Sequence, residues 1–314
     1  MRLPITVPGR NIPIEMADPT EPYPWHSLDF MSESLIAKSL NLAVNNNDSG
    51  TAVLLLHGVL RNWRTFHPLL NALNPEARVA ALDFRGHGKS DPAPDAYLVR
   101  DYVEDAAKAL EFVSNRRNIV YGHSLGAMVA LATAAEEPGL VDALVLEDPP
   151  FSTMGERLPE LPLHRYFAGV RDCLARSISV DSLFHNFSEM IVGEDGQGIP
   201  IRLKDQRDET SRRFSAESLG RVDPDVLNPI VEACWLEGFD WVSLACKVRC
   251  PIVMFQSDPE LGGMLTNDDA RTLKRIWKGR CELVKLEGVS HIVHWPKPET
   301  LLEKIRELMN RESC

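Results

Sequence analysis

From Thr51 onward, short apolar runs alternate with segments of helical periodicity, and this rhythm limits the chain to few folds. Residues 52–56 (AVLLL) form an unbroken apolar run, as a strand buried on both faces requires. Residues 61–73 read as a helix and residues 78–84 as the next buried strand. Val99, Tyr102, Val103, Ala106, Ala107, Leu110 and Val113 recur at helical spacing, which predicts an amphipathic helix over 97–114. A short strand at 118–121, a helix of small residues at 125–135 and a strand at 143–146 complete this half. The rhythm then breaks. Residues 150–248 carry helix-like patches, many charges, Trp235 and Trp241, and no clear strand.

The alternation resumes with a strand at 252–256, a helix at 266–278, a strand at 282–286 and a helix at 301–309. Thr266 and Asp269 have capping-box spacing, Gly279 follows the predicted end of that helix, and Pro298 suits the first turn of the last one. Alternating strands and helices of this kind build a mostly parallel sheet with helices on both faces. The expected division is an N-terminal extension (1–33), an α/β core (34–149 and 249–314) and a helical cap inserted at 150–248. Residues 34–45 are read as one or two short strands.

Charge narrows the partners. Lys plus Arg number 34 against 45 Asp plus Glu, a net charge of −11. Nucleic acid or an anionic membrane would ask for a basic patch that displaces counterions, so neither is an expected partner; a small molecule is. Residues 1–10 hold Pro4 and Pro8 and no apolar core of a signal peptide, and no apolar run approaches the ~18 residues of a membrane span. A cytoplasmic protein, monomeric or homodimeric, is the expectation. The cysteines at 173, 234, 246, 250, 281 and 314 lack the spacing of a zinc site and are read as reduced thiols.

The chemistry centres on Gly122-His123-Ser124-Leu125-Gly126, between a predicted strand and a predicted helix. Two glycines permit a sharp strand-to-helix turn that lifts the Ser124 hydroxyl above the sheet, and the helix aims its first N–H groups at charge forming there. The bland alternative is a serine that merely caps the helix. A free hydroxyl is a poor nucleophile and needs a base. His291, in the loop after the 282–286 strand, is placed for it; His294, beside Trp295 and Pro296, reads as packing. Leu56-His57-Gly58-Val59 ends the first buried strand, so the N–H groups of Val59 and Leu125 would form an oxyanion hole, with His57 as framework. Residues 83–90 (DFRGHGKS) read as a polar turn held by internal hydrogen bonds. No cofactor motif or metal-site pattern is present, and none is expected.

These motifs, in this order, resemble the α/β-hydrolase superfamily over residues from about 51 to 310. The resemblance implies that fold with a helical lid at 150–248, and a serine hydrolase acting by two-step acyl transfer without a cofactor. The bond would be a carboxylic ester or related acyl bond; a lactone or C–C bond hydrolase, or a receptor-like binder retaining the triad, are the alternatives. Serine at 124 argues against the branches that place aspartate there. The lid's apolar content suggests an apolar substrate. For the acid that orients His291 the sequence departs from the usual pattern. Most members use an aspartate after the strand that follows the lid, but this chain reads Ser257-Asp258-Pro259-Glu260, with Glu260 at the usual position and Asp258 two residues early. A minority use an acid after the strand preceding the lid, where Asp148 stands. Asp148 is favoured, then Asp258, then Glu260.

Overall fold

A computed structural model describes residues 39–45, 47, 50–155 and 158–311. The expected N-terminal extension and Cys314 lie outside the described residues. In chain order the strands are β1 (Asn41–Val44), β2 (Thr51–Leu56), β3 (Arg78–Asp83), β4 (Arg117–His123), β5 (Ala143–Glu147), β6 (Ile191–Glu194), β7 (Pro200–Arg202), β8 (Ile252–Gln256) and β9 (Cys281–Lys285). The helices are α1 (His67–Leu73), α2 (Tyr102–Val113), α3 (Leu125–Glu136), α4 (Pro162–Arg176), α5 (Val180–Glu189), α6 (Leu203–Gln206), α7 (Glu209–Leu219), α8 (Asn228–Val231), α9 (Trp241–Lys247), α10 (Asn267–Ile276) and α11 (Pro298–Met309).

Seven strands form one sheet in the order β1-β3-β2-β4-β5-β8-β9. β1 runs antiparallel to β3, and every other pairing in this sheet is parallel. The alternation of side chains along each strand supplies two cores. Val53, Leu55, Ile119, Tyr121, Val253 and Phe255 pack with the buried faces of α1 and α11. Leu54, Leu56, Val120, Leu144, Leu146 and Met254 pack on the other face with α2, α3 and residues of the insertion. α3 is buried along almost its whole length, and its small residues let it lie close to the strands.

Register brings the strand ends into line. Leu56 pairs with Gly122, His123 with Glu147, and Glu147 with Phe255. The residues just past those positions therefore share the C-terminal edge of the sheet, where ligand sites of parallel sheets form.

The insertion departs from the sequence reading in one way. It contains an antiparallel hairpin, β6 with β7, where no strand was expected. These strands have four and three residues and are largely exposed, so they carry no alternation to read. Asp195 holds their turn, its Oδ1 accepting from Gln197 N at 2.8 Å and Ile199 N at 2.9 Å. α9, at the end of the expected insertion, packs on α3 and α10 of the core, and Trp277 donates its Nε1–H to Ala245 O at 2.8 Å. The helix expected at 61–73 is α1 preceded by a separate tight turn at Trp63–Phe66, and that expected at 97–114 begins with a tight turn at Val99–Asp101.

The capping box at Thr266 is half made. Thr266 accepts from Asp269 N at 3.0 Å, but the Asp269 carboxylate turns to Ser152, taking its Oγ–H at 2.6 Å and its N–H at 3.2 Å. With Thr153 Oγ1 donating to Met264 O at 2.6 Å, this pins the start of the insertion to the β8–α10 loop. Asp269→Ala is expected to cost about 2 kcal/mol, because it strands two donors, one of them backbone. Urea unfolding measures it, and a loss within error means that these bonds carry no stability.

Candidate active site

The elbow after β4 is tight because nothing else fits. A Cβ at Gly122 would sit 2.1 Å from Gly126 O, and one at Gly126 would sit 2.0 Å from Leu56 O. Ser124 itself is held at φ 54, ψ −115, a region that non-glycine residues avoid, and its side chain caps nothing in α3. Its N–H donates to Glu147 O at 3.0 Å, and Gly126 N–H donates to His57 O at 3.1 Å, so the elbow is tied to strands on both sides. The helix-capping alternative thus finds no hydrogen bond here.

Asp148 is also strained, with φ 46, and is fully buried. Its N–H extends the ladder to Phe255 O at 3.0 Å. Oδ1 accepts from Ser257 N at 3.2 Å and Leu265 N at 3.1 Å; Oδ2 accepts from Met264 N at 2.7 Å. The fourth donor is His291 Nδ1, at 2.7 Å from Oδ2. A carboxylate can only accept, so Nδ1 carries a proton, and in the neutral ring Nε2 is then the nitrogen with a free lone pair. The His291 ring is about one-fifth exposed and lies 4.7 Å, centroid to centroid, from that of His123, which precedes Ser124. His123 Nε2–H donates to His291 O at 3.2 Å.

The two other candidate acids serve turns. Asp258 accepts from Glu260 N at 3.0 Å and from Gly288 N at 2.9 Å, fixing the loop that leads to His291. Glu260 sits exposed in the short turn Pro259–Leu261. Of the three, Asp148 is the one that bonds His291.

The oxyanion candidates lie on adjoining segments. Among the described residues the Val59 and Leu125 N–H groups have no backbone acceptor outside helices and strands. The Val59 loop rests on histidines: His57 Nε2 accepts from Phe84 N at 3.1 Å while its Nδ1–H donates to Gly58 O at 2.8 Å. His87 Nε2 accepts from Leu60 N at 3.3 Å and its Nδ1–H donates to Arg85 O at 3.0 Å. The 83–90 turn does close on itself, with Asp83 accepting from Lys89 N at 3.0 Å and also from Trp63 N at 2.7 Å.

The sequence reading gave no role to Glu147. Its buried carboxylate accepts from Tyr121 OH and Val293 N, from His294 N at 3.0 Å and from His294 Nδ1 at 2.8 Å. His294 Nε2 in turn accepts from Thr65 Oγ1 at 2.9 Å. His294 packs, as expected, but as half of a second acid–histidine pair beneath the first. The signal was the doublet Glu147-Asp148 opposite His291 and His294.

Residues 53–304 match the family model described as the alpha/beta hydrolase family. The chain belongs to the α/β-hydrolase family. It is 34% identical over 119 residues to 2-(acetamidomethylene)succinate hydrolase of Mesorhizobium japonicum, covering 38% of this chain and 43% of that one. It is 40% identical over 114 residues to a lipase of Mycobacterium tuberculosis, covering 36% and 43% respectively. Each match thus spans less than half of the relative's length. A solved structure of E-2-(acetamidomethylene)succinate hydrolase superposes with a TM-score of 0.64 at 23% identity, covering 87% of this chain and 96% of that one. An enol-lactonase from Burkholderia xenovorans gives 0.64 at 15% identity, covering 87% and 97%. At these identities the likeness is one of fold. Among the described residues no helix is long and apolar enough to cross a membrane.

Two outcomes test the supports of the site. Glu147→Gln puts an amide N–H₂ where donors converge and is expected to cost about 3–5 kcal/mol in urea unfolding; a loss below about 1 kcal/mol means that the buried pair is not an anchor. Burial lowers His87 to about 4, against the opposing pull of the Arg85 carbonyl and Asp223. Below its ordinary value of 6.5 the unfolded chain takes up a proton that the folded one refuses, so stability is full above that pH and lost as pH falls toward about 4. A Tm series should show this decline, and His87→Gln, which keeps an acceptor but does not titrate, should make it shallower. Equal slopes in both proteins would remove His87 as the cause.

Proposed function

We propose that this protein is a serine hydrolase that cleaves a carboxylic ester or related acyl bond through an acyl-enzyme. The observation that carries the reading is the 2.7 Å bond from His291 to a fully buried Asp148, with His291 packed on His123, the neighbour of a serine held on a strained elbow. Ser124 acts as nucleophile. His291 Nε2 takes the hydroxyl proton as Oγ attacks the carbonyl carbon, and Asp148 stabilises the imidazolium so formed. The Val59 and Leu125 N–H groups receive the developing oxyanion, Leu125 with the help of the α3 dipole. His291 then returns the proton to the leaving group. Water repeats the sequence in the second half, and the acid is released.

The inserted segment, residues 150–248, is proposed as the lid that sets substrate choice. No step calls for a metal or cofactor. Relatives whose names include a hydrolase, a lipase and an enol-lactonase support hydrolysis as the reaction class. The lactonase neighbour keeps ring-opening of a lactone as the second reading, with the same residues in the same roles.

Ser124→Ala is expected to abolish turnover of an activated aryl ester and labelling by a fluorophosphonate, with Tm held within a few degrees. Retention of a tenth of the activity would remove Ser124 from its role. Asp148→Asn removes the negative charge that stabilises the imidazolium and lets an amide N–H₂ fix His291 in the wrong tautomer, which should lower kcat about 10⁴-fold. Asp258→Asn and Glu260→Gln should remain within about tenfold of wild type, since neither bonds His291. Steady-state kinetics of the three side by side decide the acid: a dead Asp258→Asn beside an active Asp148→Asn would reverse the assignment.

A further inference from the structure

Arg61 follows directly on the loop that carries Val59, with its N–H bonded to Gly58 O at 3.2 Å. Its guanidinium passes under the cap. One N–H, on Nη1, reaches Ser215 Oγ on α7 at 3.2 Å, and the plane lies 5.2 Å from the ring centre of Trp295, in the loop that holds His291. A guanidinium has five N–H donors, so most of them are left over. Arg207, between α6 and α7, has its guanidinium 5.8 Å from the ring centre of Tyr166 on α4, and both groups act on the charge of Arg61. Among the described residues neither arginine has a carboxylate partner.

This is unusual company for a chain of net charge −11. Both arginines are partly exposed, so water shares their charge, but a cation half withdrawn from solvent still gains from a counter-charge. Burial lowers Arg61 to about 10, with Tyr166 opposing and Arg207 adding to the fall, so the group stays cationic at neutral pH while lacking its counter-ion. Its backbone is tied to Gly58, where a Cβ would come within 3.2 Å of Ser124 Cβ, and its charge adds a lesser pull to the burial that lowers His123 and His57.

We propose that the space beside the Arg61 guanidinium, where it reaches from the Val59 loop to α7, is a carboxylate subsite, in which Arg61, assisted by Arg207, binds an acid group on the substrate while Ser124 attacks its acyl carbon. The inference rests on the hydrolase reading and narrows it: the substrate is an ester, or related acyl compound, that carries a free carboxylate on its acyl part or on its leaving group. Arginine suits the task, since its planar fork can give two parallel N–H bonds to one carboxylate. Tyr166 and Trp295 would flank an apolar body joining the acid to the scissile bond. The subsite would add an anionic end to the apolar substrate that the lid composition suggests.

The experiment compares paired substrates on the full chain. Mono-p-nitrophenyl esters of dicarboxylic acids from succinate to suberate are set against p-nitrophenyl esters of monoacids of equal length, and 4-carboxyphenyl acetate against phenyl acetate. In at least one series the anionic member should be preferred by tenfold or more in kcat/KM. Arg61→Met should lower that anionic-to-neutral ratio by about 30-fold, and Arg207→Met by less. No preference in any series, or a ratio unchanged in Arg61→Met, overturns the proposal. Should Arg61→Met fail to fold, inhibition of wild type by adipate and not by adipamide takes its place, and equal inhibition or none counts against the subsite. The two readings fail separately. A wild type that turns over no ester and is not labelled at Ser124 sinks the hydrolase, whereas neutral esters turned over without regard to charge sink only the carboxylate subsite.

Discussion

A carboxylate with no access to water must find donors for its charge, and in this protein Asp148 finds four. Three are backbone N–H groups from the segment after β8, and one is the ring of His291. That single requirement draws together β5, the β8–α10 loop and the loop after β9, segments far apart in sequence. Because the donors are backbone and the carboxylate is buried, the negative charge is fixed in place by the fold itself. The orientation of His291 follows from it, since only one ring nitrogen can face an acceptor that offers no proton.

The rest of the site is held by extension of the sheet beyond its strands. Ser124 N–H bonds to Glu147 O and Asp148 N–H to Phe255 O, so both residues at positive φ sit on continued ladders. Strain of about 1–3 kcal/mol per residue persists only where neighbours over-determine it, and here they do. Below this layer the Glu147–His294 pair, fully buried with Tyr121 and Thr65, ties the loop after β9 to β5 a second time. His291 is thus positioned from both sides, by its own acid and by the anchored residues that follow it.

The core was legible because its physics is local. Strands buried on both faces must be apolar throughout, and the runs at β2, β3, β5 and β8 said so in the sequence. The elbow was legible for a similar reason: Gly122 and Gly126 are there because a Cβ would meet backbone. What stayed hidden depends on contacts between distant segments. The hairpin β6–β7 is exposed and short, so burial imprints no pattern on it. Asp269 has the spacing to cap its own helix, yet Ser152 offers a better bond. Nothing local marks Arg61 as lacking a counter-ion, because that fact belongs to the space between the cap and the core. The choice among Asp148, Asp258 and Glu260 lay between the two, since residue type narrowed it and only the approach of His291 separates them.

Glu147 and Asp148 are neighbours in sequence with opposite destinations, one turned down to His294 and the other toward His291. A strand that ends in two such acids reads its own alignment. Sliding β5 by one residue would present the wrong carboxylate to each histidine loop, and both pairs would be lost at once. The doublet therefore acts as an indexing pin: the same two bonds that serve the site also single out one alignment of the central strand, and an insertion or deletion inside β5 could not be absorbed by a compensating slip.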